Sequence, residues 1–295
     1  MSNYFDNFYD WWKNIDKYIL FLILGLFCLG LFFSLVSTSL LASDKLNTNS
    51  YYFFLKHLIF IIIGIIALLF FSFLNQKYLL KISIILFFIS FLSLVLVPFF
   101  GVEIKGSKRW LDLFIFPRFQ PIEILKPFFV IIIATILTLG NKKLYLKYFF
   151  SALVLITILL FLIYQPDLGQ TLLLTMAWLA LVFVSGINIL LFFSFFLTAG
   201  FIVTYLIIFV PKFEYIKIRL LSFMDSTSGN NYQAEKANDA IINGGFFGKG
   251  IGEGKLNSRV PEAHTDYIVS VIAEEFGAII VIAIILLYLI LSYKV

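Results

Sequence analysis

The chain carries few charges, and three groups of them have residue types and spacing that could do chemistry. The densest is Pro261-Glu262-Ala263-His264-Thr265-Asp266-Tyr267, which opens onto an apolar run containing Glu274 and Glu275. Two carboxylates and an imidazole placed on alternate residues can take or deliver a proton at a reacting hydroxyl. Carboxylates at membrane depth are costly, so Glu274 and Glu275 are expected to serve a site or a buried hydrogen-bond network. A plainer role is also open: Thr265 or Asp266 can cap the first free N–H groups of the helix that follows, and an acid there suits the helix dipole. At this stage Asp266 is equally a cap and a catalyst.

The second group is Gly106-Ser107-Lys108-Arg109-Trp110-Leu111-Asp112, followed by Gln120-Pro121-Ile122-Glu123-Ile124-Leu125-Lys126-Pro127. Arg109 offers a planar fork for phosphate oxygens and Lys126 a point charge. Against that, Trp110 and Lys108 suit an interfacial anchor, and Glu123 and Lys126 stand three apart on one helical face, where they can simply pair. The third group, Gln165-Pro166-Asp167-Leu168-Gly169-Gln170-Thr171, reads as a helix start in which Asp167 either caps or takes part in a site.

The elements that must position these residues are membrane helices. Of the residues, 61% are hydrophobic and 13% charged, and the mean hydropathy is +1.01; soluble domains have roughly 25% charged residues. The expected fold class is an all-α polytopic membrane protein. About eight spans of about 20 residues can be drawn, at about 19–41, 54–74, 79–100, 122–139, 145–163, 168–185, 187–210 and 267–293. The first lacks a small-residue cleavage site and is expected to be retained. Lys77, Lys81, Lys142, Lys143 and Lys147 flank short connections, and Trp11, Trp12, Lys13 and Lys17 precede the first span. By the positive-inside rule these lie on the cytoplasmic side, which puts Gly101–Gln120 and the long Pro211–Asp266 connection outside.

That long connection is rich in glycine at 244, 245, 248, 250, 252 and 254, which permits positive φ and close backbone approach to a ligand. It is not a nucleotide loop. A P-loop ending at Gly254-Lys255 needs glycine at 249 and a hydroxyl at 256, where the chain has Lys249 and Leu256. A dinucleotide fingerprint needs a preceding strand in a βαβ unit. The net charge of +5 is scattered among apolar segments, so no nucleic acid partner is expected. Cys28, the single cysteine, supports neither a disulfide nor a thiolate metal site, and a packing role is expected for it.

Four motifs occur in order: Gly106–Trp110 with Gln120–Lys126, then Gln165–Gly169, then Gly244-Gly245-Phe246-Phe247-Gly248-Lys249-Gly250-Ile251-Gly252, then Pro261–Asp266. Together they resemble the SEDS family of cell-wall proteins over nearly the whole chain. The Pro-Glu-Ala-His-Thr-Asp form and the Trp11–Lys17 segment are most similar to its cell-division branch of alphaproteobacterial type, with the elongation branch as close paralogue. The resemblance implies a peptidoglycan glycosyltransferase that polymerises lipid II, the undecaprenyl-diphosphate-linked disaccharide peptide, outside the cytoplasmic (inner) membrane. Undecaprenyl diphosphate is the leaving group. It implies Asp266 as the essential aspartate, a general base, with Arg109 and Lys126 stabilising the diphosphate and Gln120, Glu123, Asp167, Glu262 and His264 as further substrate-binding candidates. No cofactor is fixed; the candidate is a divalent cation, Mg2+ or Mn2+. The implied partners are a class B penicillin-binding transpeptidase and other division membrane proteins, and the implied location is the division site. The family usually has ten spans, so residues 1–295 are expected to form a single membrane domain that is C-terminally incomplete.

Two other functions compete on residues alone. Glu123, Lys126, Glu274 and Glu275 could line the path of a transporter or lipid II flippase, which should then centre its charges near the midplane between inverted repeats. A non-catalytic division scaffold would leave Asp266 dispensable.

Overall fold

The computed structural model describes residues 9–35, 51–104, 107–112, 118–140, 143–214, 217–218, 232–256, 260 and 267–295. Their contacts divide the chain into two compact units, one of Met1–Phe73 with Asp225–Val295 and one of Leu74–Met224.

The second unit holds most of the motif residues. Its helices are α3 (Gln76–Phe100), α4 (Pro121–Thr138), α5 (Leu144–Tyr164), α6 (Leu168–Val184) and α7 (Ile189–Phe209), and a hairpin of β1 (Val102–Ile104) and β2 (Ser107–Trp110) joins α3 to α4. Proline at the first position of α4 suits a helix start, because its missing N–H would be unpaired there anyway. Ile122, Leu125, Phe129 and Ile133 recur at helical spacing and are fully buried, so α4 is the central packing element of its unit. The other side of the bundle is apolar and uncovered: no part of the apolar stretch of α7 is buried. A helix apolar all round with an exposed surface has acyl chains as its solvent.

The first unit contains α1 (Lys17–Phe33), α2 (Tyr52–Ser72), α8 (Tyr232–Gly244), α9 (Ile268–Phe276) and α10 (Ala278–Lys294). Asp16 caps α1 through bonds to the amides of Tyr18 and Ile19 at 2.9 and 3.2 Å. Trp11 stacks on Phe73 at 4.3 Å and donates its indole N–H to Ser72 at 3.1 Å. These contacts tie the segment before α1 to the end of α2. Cys28 is exposed on α1 rather than packed inside.

The chain is a multi-pass membrane protein. Among the described residues five helices are long and apolar enough to cross a bilayer, and α1, α6 and α10 are shorter apolar helices. One expected span needs correction. Residues 267–293 are not one helix but two, α9 and α10, broken at Gly277 with φ 86 and ψ 170, a region essentially reserved for glycine.

That break explains the glycines upstream. A Cβ on Gly244 would stand 2.0 Å from the carbonyl oxygen of Ala273, one on Gly248 2.2 Å from that of Glu275, and one on Gly277 2.2 Å from that of Phe246. The close approach that the sequence suggested is real, but it brings this loop against the backbone of α9 and α10. Lys249 and Gly250 donate their amides to the carbonyls of Glu274 and Glu275 at 2.9 and 3.0 Å. These bonds satisfy the last turn of α9, whose carbonyls no longer have an intrahelical partner.

Candidate functional site

The candidate site of the second unit is built on two interrupted helices. Pro98 lies inside α3 and cannot donate to the carbonyl of Leu94, one turn back. The side chain of Gln165 supplies the missing donor at 3.4 Å, and Gln165 is buried at 3% exposure. At Gln165 itself α5 ends, because Pro166 follows. The chain closes with the amide of Asp167 bonded to the carbonyl of Leu162, five residues back, at 2.9 Å, and α6 starts directly after.

Asp167 is the hub of this turn. It is the N-cap of α6, where Oδ1 accepts from the amide of Gln170 at 3.4 Å. Oδ2 accepts from Gln120 Nε2 at 3.0 Å and lies 3.7 Å from Arg109 Nε. The capping role that the sequence offered is present, and the same carboxylate also binds the side chains of a hairpin and of the α4 entrance. At 6% exposure it needs every one of these partners, because a buried carboxylate without them would be strongly disfavoured.

Arg109 reaches the turn through a kink in the hairpin. Val102 pairs with Trp110 and Glu103 with Lys108, so Arg109 is the residue passed over in the register. Such bulges turn a side chain out of the regular alternation. Here the guanidinium is aimed at the helix junction: Nε donates to the carbonyl of Gln165 at 3.3 Å, and Nη2 donates to the carbonyl of Pro166. Two of the five N–H groups of the fork expected to hold phosphate are thus given to this turn, with Asp167 beside them.

Gln170, one turn into α6, carries the network further. Its Nε2 donates to Glu123 Oε1 at 2.7 Å, and Glu123 Oε2 pairs with Lys126 Nζ at 2.6 Å. The two cations are about equally exposed, Lys126 at 25% and Arg109 at 27%, whereas Glu123 is more open than Asp167, at 48% against 9%. Arg109, Gln120, Glu123, Lys126 and Asp167 therefore form one connected cluster, whose two cations and two carboxylates balance. Gln165 and Gln170 belong to it as well. The sequence quoted both beside Asp167 without assigning them a role, and amides flanking a proline break between apolar helices were the available signal.

In the first unit, α9 starts at Ile268 with Tyr267 at its N-cap and no side-chain capping bond from it. Asp266, Glu262 and His264 lie outside the described residues. Glu274 is fully buried, and its Oε1 accepts from Asn243 Nδ2 and from the amide of Leu256, both at 2.9 Å. Through Oε1 it joins α9 to α8 and to the glycine loop, while Oε2 is buried with no bonded partner among the described residues. Among the described residues no three His, Cys, Asp or Glu side chains converge to hold a metal.

A sequence model of the cell cycle protein family FtsW/RodA/SpoVE matches residues 17–295. The chain belongs to that family. It is 29% identical over 279 residues to the probable peptidoglycan glycosyltransferase FtsW of Caulobacter vibrioides, covering 91% of this chain and 68% of the relative. To the protein of the same description from Aliivibrio salmonicida it is 31% identical over 287 residues, covering 95% and 70%. Both are of the FtsW branch, and the first agrees with the alphaproteobacterial likeness of the motifs. Among solved structures, the rod shape determining protein RodA of Thermus thermophilus matches with TM-score 0.63 and 22% identity, over 96% of this chain and 74% of that one. A chain from a peptidoglycan synthase complex matches with TM-score 0.70 and 23% identity, over 95% and 77%. These likenesses establish a RodA-like polytopic membrane fold.

Proposed function

We propose that this member of the FtsW/RodA/SpoVE family is a peptidoglycan glycosyltransferase that polymerises lipid II at the outer face of the cytoplasmic membrane during cell division. The observation that carries this reading is the connected polar cluster at one end of α4 and α6, in a chain whose relatives bear that enzymatic name. A lipid-linked diphosphate sugar has its tail among acyl chains and its charged head at such helix ends.

In the proposed step Asp266 accepts the proton of the acceptor sugar's 4-hydroxyl. The oxygen forms a bond to the donor's anomeric carbon, and the bond from that carbon to the diphosphate breaks, its electron pair leaving with undecaprenyl diphosphate. General-base assistance of this kind is worth about 10²- to 10⁴-fold, and the departing diphosphate requires fixed positive charge. The cluster favours a division of labour between the two cations. Lys126, held by one carboxylate among the described residues, offers its remaining N–H donors to the diphosphate, while Arg109, bonded to two backbone carbonyls, chiefly positions the turn that carries Asp167. Gln120 and Glu123 orient the two cations, and Glu262 and His264 flank the base in sequence. The fold of a chain from a peptidoglycan synthase complex supports a class B penicillin-binding transpeptidase as partner, with other division proteins at the division site.

The test is polymerisation of purified lipid II in liposomes by the protein with its transpeptidase, wild type against Asp266→Asn. The variant should lose at least about 100-fold in rate; undiminished glycan synthesis would remove Asp266 from the chemistry. A flippase would move lipid II across the bilayer and yield no glycan chains.

A further inference from the structure

The loop joining α8 to the turn around Glu253 ends in side chains that nothing among the described residues covers. Phe246 and Phe247 are 72% and 85% exposed, with Ile242 at 70% and Ile251 at 59% beside them. Two backbone bonds fix where this apolar tip stands: the amide of Ala278 donates to the carbonyl of Gly245 at 2.9 Å and that of Ile279 to the carbonyl of Phe246 at 3.3 Å. The tip is therefore level with the first turn of α10.

The depth of that turn follows from the other end of the helix. α10 has 17 residues and none buried, so at about 1.5 Å per residue it is about 25 Å long. Its last turn places Lys294 Nζ 5.6 Å from the ring of Tyr18, and Lys17 sits 5.4 Å over Trp12. Trp, Tyr and Lys gathered in this way mark a membrane interface. α1 leaves the same belt and ends where Phe33 meets Phe276 at 5.3 Å, next to the break before α10. The hydrocarbon layer is about 30 Å thick, so a point about 25 Å from the belt still lies within it. The apolar run of α1 agrees, continuing in the sequence to Leu41.

Irregular backbone at that depth is tolerated only when its polar groups are paired within the protein. The amides of Gly248, Lys249 and Gly250 donate to the carbonyls of Gly244, Glu274 and Glu275 at 2.9 to 3.0 Å. Polarity along α8 changes in the same direction: Glu235 and Asp239 are exposed in its earlier turns, and Ile241 and Ile242 in its last. We infer that the Gly245–Gly252 loop is inserted into the leaflet opposite the Trp11–Trp12 belt. Phe246, Phe247, Ile242 and Ile251 lie among phospholipid acyl chains, and the exposed Lys249 extends toward the headgroups.

Collision accessibility of a nitroxide tests this in the full chain reconstituted into phosphatidylethanolamine and phosphatidylglycerol vesicles. With Cys28→Ser as background, labels are placed at Phe247→Cys and Ile251→Cys, at Ile285→Cys as the lipid-facing reference on α10, and at Asp239→Cys as the aqueous reference. The ratio of oxygen to nickel-chelate collisions at 247 and 251 should exceed that at 239 several-fold and approach that at 285. A ratio equal to that at 239 would place the tip in water and overturn the inference. Low collision with both reagents would also overturn it, because it signals contact with protein, whether a second copy or a partner.

Discussion

At the scale of single residues, the cluster assigns different work to side chains of like charge. Arg109 is held by two backbone carbonyls and Asp167, whereas Lys126 is held by Glu123 alone among the described residues. Arg109→Ala should therefore lower both the unfolding temperature in detergent and the polymerisation rate, while Lys126→Ala should lower the rate and leave the unfolding temperature within about 2 °C, as expected for loss of a partly exposed pair. Equal thermal losses in the two variants would contradict this division. Gln165 permits a sharper stability test. Gln165→Leu keeps the volume but leaves the carbonyl of Leu94 buried beside Pro98 without a donor, which should cost about 1–3 kcal/mol. Thermal unfolding followed by intrinsic fluorescence would show it, and an unchanged transition would mean that Pro98 is accommodated in another way.

At the scale of elements, the break between α9 and α10 determines which glycines matter. Gly244, Gly248 and Gly277 are surrounded by backbone, which cannot move aside as the end of a side chain can. Alanine at any of them should destabilise by more than about 3 kcal/mol, among the largest effects of a single substitution, and should reduce the yield of folded protein. Gly245 has φ 61 and nothing within 4 Å of an added Cβ, so Gly245→Ala should cost only the left-handed conformation, about 1–2 kcal/mol. Denaturation of the four variants in one detergent checks the order. The spacing of the glycines was plain in the sequence. What they approach was not, because the contacting backbone lies about 30 residues further along and is presented to them only by the kink at Gly277.

At the scale of the whole molecule, the bilayer replaces a conventional core for much of the chain. No part of the apolar stretch of α7 is buried, and in α2 only Ile61 is, so acyl chains are the expected surroundings of both helices. Phe201 is 73% exposed on α7. Phe201→Lys should raise the apparent cost of inserting this helix by about 3 kcal/mol, measurable as a lower inserted fraction in a glycosylation-reporter assay. Phe201→Leu should insert as the wild type does, and equal insertion of the lysine variant would argue that α7 is covered by protein.

The sequence by itself determined the membrane class, the positions of α2 to α7 to within a few residues, the family and the identity of the polar motifs. All of these depend on local quantities: the length of an apolar run, a proline at a helix start, a short motif in order. The tertiary structure decided how the motifs are used. It joined Arg109, Gln120, Glu123, Lys126 and Asp167, drawn from a hairpin and two helices, into one balanced network. It split the last expected span at Gly277 and made Glu274 the tie between α8, α9 and the glycine loop. The physical reason is the same in each case. A buried polar group must be satisfied by whatever the fold brings within about 3 Å, and those partners lie tens of residues away, where no local pattern records them.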